Sequence, residues 1–177
     1  MKDSYIEKID ATNVHILNEV ALRAYADHYL HLWYDQGKWY MEKFFSVDRL
    51  TTEINDKNSC FYIAFFNSSP VGFLKLNINA PLEGFESKDG LELERIYLKK
   101  EVIGKGIGRK LVELTIEIAE KFNKNFVWLK AMDTSQEPIE FYKKMGFAIT
   151  GTYRLKHELM KKELRGMVIM AKNLAGK

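Results

Sequence analysis

The chain predicts an α+β fold, a mixed and mostly antiparallel sheet flanked by helices. Two observations carry this. The first half holds short apolar strands, helical stretches and one tight hairpin. The second half runs strand, glycine turn, helix, strand, an order that supports a parallel pair. A third observation places the site: the only dense glycine cluster, Gly104 to Arg109, lies at the join of that strand and helix.

The elements follow in order. Tyr5 to Ile9 reads as a short strand. Val14 to Leu32 reads as a helix, with Thr12 or Asn13 as its cap. His31 to Phe45 is an aromatic segment, and Ser46 to Asn55 a second helix. Phe61 to Phe66 and Val71 to Asn79 form a hairpin around Asn67-Ser68-Ser69-Pro70. Ala80 to Gly90, rich in turn residues, is the expected flexible stretch. Leu91 to Leu98 interleaves apolar and charged positions as a strand does. Leu111, Leu114, Ile118 and Phe122, with Val112, Thr115 and Ala119, make an apolar stripe at helical spacing. Phe126 to Met132 is a strand. Pro138 fits the first turn of the next helix, where its missing N–H is harmless. Gly146 would end that helix as a left-handed cap, with strands near Phe147 to Tyr153 and Gly166 to Ala171.

Length and composition fit one domain over residues 1–177: 46% hydrophobic and 29% charged, with no repeat. No apolar run approaches a membrane span, and Met1 to Ser4 begins no apolar signal region. Cys60 is the only cysteine, so no internal disulfide forms; a small buried apolar role is expected for it, and a cytoplasmic location is the default. His15, His28, His31 and His157 show no zinc spacing, so no metal is expected. The sparse basic residues of the aromatic segment argue against nucleic acid, while the net charge of +3 speaks mildly against a polycation as ligand, though local acidity in a cleft matters more than the total. The oligomeric state stays open, a homodimer included.

Glycines at alternate positions let the backbone turn sharply and approach a ligand. Amides at a helix start, unpaired within the helix, can hold a phosphate. The spacing excludes the two commonest phosphate motifs. Gly104, Gly106 and Gly108 give G-x-G-x-G, not the dinucleotide fingerprint G-x-G-x-x-G, and no Gly-Lys-Ser/Thr triplet occurs.

Ile103-Gly104-Lys105-Gly106-Ile107-Gly108 resembles the pyrophosphate loop of the GCN5-related N-acetyltransferases, with Ile103 where that family usually has Gln or Arg. A second signature lies downstream. Phe141, Tyr142, Gly146 and Phe147 match the family's Phe-Tyr-x-x-x-Gly-Phe, while Ser135 and Pro138 depart at its Asn and Ala positions. The resemblance implies a sheet with a central splay and acetyl-CoA as cofactor. It places the pyrophosphate on the amides of Gly104, Lys105, Gly106, Ile107, Gly108 and Arg109. The pantetheine arm would lie beside Ile96-Tyr97-Leu98, near Ser135, and the Leu98 amide would polarise the thioester carbonyl. Tyr142 would protonate the departing thiolate. Lys105, Arg109, Lys143 and Lys144 could meet the phosphates or remain solvated.

A base must take a proton from the amine. Glu92 and Glu94, on one face of a strand, are the candidates; either needs a raised pKa, and each could instead pair with Arg95 or Lys75. The segment Tyr25 to Glu42 offers His28, Tyr29, Trp33, Tyr34, Asp35, Trp39 and Glu42 as acceptor contacts, rings and carboxylates suited to an aliphatic cation. Its Tyr-Ala-x-His-Tyr and Trp-Tyr-Asp elements, with Gly72 to Leu76, resemble bacterial spermidine/spermine acetyltransferases. The expected function is acetyl transfer from acetyl-CoA to a small-molecule primary amine, a polyamine such as spermidine or spermine. The alternatives are a protein N-terminal or lysine acetyltransferase, or a non-catalytic acetyl-CoA sensor. Simple packing of the aromatics is the plainer reading of that segment.

Overall fold

The structure is a computed structural model that describes residues 4–85 and 89–174. Seven strands form one sheet: β1 (Ser4–Lys8), β2 (Ser59–Phe66), β3 (Ser69–Asn77), β4 (Gly90–Leu98), β5 (Phe126–Met132), β6 (Ala148–Arg154) and β7 (Gly166–Asn173). Their order is β1-β2-β3-β4-β5-β7-β6, and every pair is antiparallel except β4 with β5. Five α-helices flank it: α1 (Val14–Tyr29), α2 (Lys38–Phe45), α3 (Val47–Ile54), α4 (Ile107–Lys121) and α5 (Gln136–Lys144).

Period-two alternation divides the core between the two faces of the sheet. Phe61, Ile63 and Phe73 pack with Leu17, Val20, Phe45 and Leu50 of α1–α3. Ala64, Leu74, Leu91 and Leu93 pack with Leu111, Val112 and Ile139 of α4 and α5. The hairpin turns on Asn67 and Ser68, both at positive φ, as a two-residue turn matched to strand twist requires. Gly146 sits at φ +90°, and Phe147 N–H donates to the Tyr142 carbonyl at 3.0 Å, closing α5 as expected.

Several local readings change. The cap is Asp10, whose side chain accepts from Thr12 N–H at 2.8 Å and heads a short 3₁₀ turn, Ala11–Asn13, before α1. Asn13 makes no side-chain cap bond to α1; its Oδ1 accepts from Asp10 N–H at 3.3 Å. The long first helix stops at Tyr29, and Leu30–Leu32 is a 3₁₀ turn. The aromatic segment contains α2, which starts after Gly37 in the left-handed conformation. Residues 86–88 of the expected flexible stretch lie outside the described residues. Ala80 before them is pinned, because its carbonyl accepts from Trp128 Nε1 at 2.7 Å. Cys60 is half-buried in β2.

Candidate active site

Two irregularities in β4 build the site. The first is that the parallel ladder with β5 runs from Gly90–Phe126 to Leu93–Leu129 and ends there, although both strands continue. Their carboxyl halves splay apart, and such ends are where open α/β sheets bind ligands. The second is a bulge. Leu76 opposes Leu93 and Lys75 opposes Arg95, so Glu94 is an extra residue. The bulge switches sides along the strand. Leu91 and Leu93 pack toward α4 before it and Ile96 and Leu98 after it, while Arg95 joins Glu92 and Glu94 at the cavity.

That cavity, of about 290 Å³, occupies the splay. Glu92, Glu94, Ile96 and Tyr97 of β4 line one wall, and Lys130 to Met132 of β5 with Ser135, Pro138 and Tyr142 another. Tyr29, Trp33, Tyr40 and Phe44 form the aromatic wall, completed by His157 and Met160. The wall is tied down: Tyr34 N–H donates to the Leu159 carbonyl at 3.0 Å, and Lys161 N–H to that of Leu32 at 2.9 Å. Trp33 Nε1 also donates to the Tyr25 hydroxyl at 2.7 Å in the core.

Glu92 accepts from Asn77 Nδ2 at 2.8 Å and lies 3.8 Å from Lys130 Nζ. Burial raises its pKa against the opposing effects of that hydrogen bond and that lysine. Glu94 is held differently, by Lys75 Nζ at 2.7 Å, Asn77 Nδ2 at 2.7 Å and Arg95 Nη2 at 3.0 Å. Both carboxylates therefore reach the cavity, and Glu94 has the Lys75 and Arg95 partners named as its alternative role. Tyr142 is 7% exposed, its ring against Phe141 and Phe147. No group among the described residues hydrogen-bonds its hydroxyl, yet no buried side-chain N or O atom lacks a partner, so the hydroxyl opens on the cavity. Burial, and then Tyr29, push its pKa above the ordinary tyrosine range. His157 is shifted the other way, by burial and then by Lys43 and Arg165.

The glycine loop continues from β4. Gly104 and Gly106 sit at φ +79° and +80°, where an added Cβ would be strained but would meet nothing within 4 Å. Gly106 precedes α4, with no side-chain cap and no acidic residue in the first turn. The first helical bond is Lys110 N–H to the Gly106 carbonyl at 3.2 Å, so the amides of Ile107, Gly108 and Arg109 have no intrahelical acceptor. A Cβ on Gly108 would lie 3.6 Å from Leu98 and 3.8 Å from Phe141, which joins this helix start to the end of β4 and to α5. Lys99 N–H donates to the Val71 carbonyl on β3 at 2.8 Å. Strand alternation then turns the Leu98 N–H the other way, toward the splay.

Other candidates lie elsewhere. Tyr34 is 63% exposed. Asp35 caps α2, accepting from Gly37 N–H at 3.0 Å and Trp39 N–H at 2.7 Å. Glu42 pairs loosely with Lys38 on the surface. Trp39 stands behind Trp33 and His157. His28 bonds through Nε2 to the Leu98 carbonyl at 2.9 Å and so braces β4 from α1. Lys105 Nζ donates to the Glu101 carbonyl, Arg109 faces Glu113, and Lys143 pairs with Glu140, all on the surface. Tyr40, Phe44, Arg95, Lys130, His157 and Met160 were not among the expected site residues. Tyr40 and Phe44 belong to the aromatic segment; no spacing pattern marks the others. Among the described residues there is no cluster of metal-ligating side chains and no helix long and apolar enough to cross a membrane.

This architecture, a splayed sheet with a glycine-led helix start at its open end, defines a class of acyl-transfer proteins. The model of the acetyltransferase (GNAT) family matches residues 13–147, and the chain belongs to that family. It is an acetyl-CoA-dependent N-acetyltransferase. An uncharacterized N-acetyltransferase from the pepI 3′ region of Lactobacillus delbrueckii subsp. lactis is 30% identical over 132 residues, 71% of this chain and 76% of that one. The peptidyl-lysine N-acetyltransferase YjaB of Escherichia coli is 26% identical over 104 residues, 59% of this chain and 67% of its own. A probable spermine N(1)-acetyltransferase of Bacillus subtilis subsp. natto is 24% identical over 117 residues, 63% and 77%. The crystal structure of the PaiA N-acetyltransferase of Thermoplasma acidophilum, in complex with coenzyme A, shares the fold with a TM-score of 0.76 at 24% identity, covering 97% and 99% of the two chains.

The residues present fit acetyl-CoA. The open space at Gly104 and Gly106 and the free first-turn amides of α4 suit its phosphates, and the splay beside Ile96 to Leu98 suits an extended arm.

Proposed function

We propose that the acceptor is a small aliphatic primary amine of the polyamine class, spermidine or spermine. The observation that carries this is the tied-down aromatic wall. Trp33 bridges to Met160, and the Leu32 and Tyr34 backbone bonds hold the segment over the cavity. A space of about 290 Å³ with that cover takes a thin chain more readily than a folded peptide segment. Rings such as Tyr29, Tyr40 and Phe44 suit a cation, worth ~0.5–2 kcal/mol per contact depending on desolvation. Asp35 and Glu42 are engaged or exposed elsewhere, so the charge partner is Glu92. The name of the Bacillus relative points the same way; that of YjaB points to peptidyl lysine.

Acetyl-CoA supplies an acyl group activated as a thioester. The chain's residues do the rest. The α4 amides and the glycine loop hold the phosphates. The Leu98 N–H, aimed into the splay, polarises the thioester carbonyl. Glu92 accepts the proton that the ammonium must lose before its lone pair can attack. The C–N bond forms and the C–S bond breaks directly between the two bound partners. As the nitrogen becomes an amide it sheds a second proton, which replaces the one that Tyr142 gives to the leaving sulfur; burial keeps Tyr142 protonated for that task.

The test is acetyl transfer by the purified protein to spermidine, spermine, simple monoamines and a lysine peptide. Transfer to the polyamines is expected. Transfer to the peptide without the polyamines would overturn the acceptor and leave the acetyltransferase intact.

A further inference from the structure

Behind the cavity lies a buried ion network that spans α3, β3 and β4. Glu53 is 5% exposed, as are Lys75 and Arg95. Glu53 receives Arg95 Nη1 at 2.8 Å and Nη2 at 3.1 Å, Lys75 Nζ at 3.1 Å and Arg49 Nε at 2.7 Å. Lys75 and Arg95 turn also to Glu94 on the bulge. Glu53 itself does not line the cavity.

We propose that Glu53 is a positioning residue for acetyl transfer: by holding Lys75 and Arg95 it neutralises the bulge and leaves Glu92 as the carboxylate that takes the proton. This rests on the acetyl-transfer reading with Glu92 as base.

Glu53 and Glu94 balance Lys75 and Arg95 inside the protein, while Arg49 is half exposed. Neither oxygen of Glu94 is spare, since Lys75 and Asn77 reach Oε2 and Arg95 reaches Oε1. Glu92 keeps one hydrogen bond and one distant lysine. The groups facing Glu92 are Asn77 and Lys75 from β3, Glu94 from its own strand and Lys130 from β5. Without the Glu53 charge, Lys75 and Arg95 would share one carboxylate. The surplus positive charge would act on Glu92, stabilise its ionised form and make it a weaker base. Arg95 would also lose its hold from α3, freeing the bulge to shift.

The experiment compares pH profiles of kcat/KM in wild type, Glu53→Gln and Glu53→Gln/Lys75→Met. Glu53→Gln should lower kcat ~10-fold or more, move the acidic limb to lower pH and leave the KM for acetyl-CoA within about twofold. The double variant removes one cation with the anion, so its limb should return toward wild type. Should Glu53→Gln not fold, Lys75→Met alone should move the limb to higher pH. An acidic limb that survives Glu92→Gln overturns the base assignment and this proposal with it. A limb abolished by Glu92→Gln but unmoved in Glu53→Gln, or in Lys75→Met, overturns this proposal alone.

Discussion

Replacing Tyr142 by Phe removes one oxygen and leaves the ring. That ring keeps its neighbours, Phe141 at 5.2 Å and Phe147 at 5.9 Å between centroids. The lost hydroxyl has no hydrogen bond among the described residues, so folding should change by less than ~1 kcal/mol. Catalysis should change far more. A positioned general acid contributes ~10²–10⁴-fold, so a loss of ~10²-fold corresponds to about 2.7 kcal/mol of barrier. The rate is followed as free thiol released from acetyl-CoA, with single-turnover measurement to isolate the chemical step. The KM for acetyl-CoA should hold, because the phosphate amides and the splay are untouched. Because the Tyr142 pKa is raised, its own titration lies above the ordinary tyrosine range and should leave no basic limb near neutrality. A variant as fast as wild type would refute the assignment and make Tyr142 a packing residue.

Three further outcomes follow from the same geometry. Gly106→Glu forces a left-handed backbone at φ +80° on a residue with a Cβ and brings a carboxylate to the phosphate amides; calorimetry should show acetyl-CoA binding lost in a folded protein. Phe44→Leu removes a ring from the aromatic wall and should raise the KM for spermidine ~10-fold with that for acetyl-CoA unchanged, in initial-rate measurements; Trp33→Ala is less informative, because at 3% exposure its loss would cost stability on the order of 3–5 kcal/mol. As the proposed base Glu92 would have to be ionised, and burial raises its pKa, so kcat/KM should climb with pH through that raised value and Glu92→Gln should lack the limb.

Strands and the glycine loop were legible because their signals are local. Alternation in Leu91 to Leu98, the helical stripe from Leu111 and the left-handed stop at Gly146 each need only near neighbours. α2 was hidden because aromatics occupy several of its faces, blurring the helical period, and its start depends on Gly37 in a left-handed turn. The break after Tyr29 has no proline or glycine to announce it. The bulge at Glu94 is a property of pairing with β3, so a strand pattern alone places Glu92 and Glu94 on one face and misses that Arg95 joins them. Glu53 meets Arg95 across 42 residues of sequence, a contact no spacing rule reaches. The placing of the acidic residues of the aromatic segment is hidden from sequence for a related reason. Composition shows that Asp35 and Glu42 are near the rings in sequence, while capping and exposure decide where they point.

The ending of the β4–β5 ladder gives the protein an internal edge. Beyond Leu93, alternate backbone groups of β4 face no sibling strand, and buried N–H and C=O groups need partners from somewhere. An extended amide-bearing arm laid there would act as a guest strand, in the manner of β-augmentation. Two measurable effects follow. Acetyl-CoA should stabilise the folded protein by about 2.7 kcal/mol at a hundred times its Kd. And the amide-exchange protection it confers should alternate along the strand, slowing Ile96 and Leu98, which face the gap, while Tyr97, already paired with Phe73 of β3, is scarcely altered.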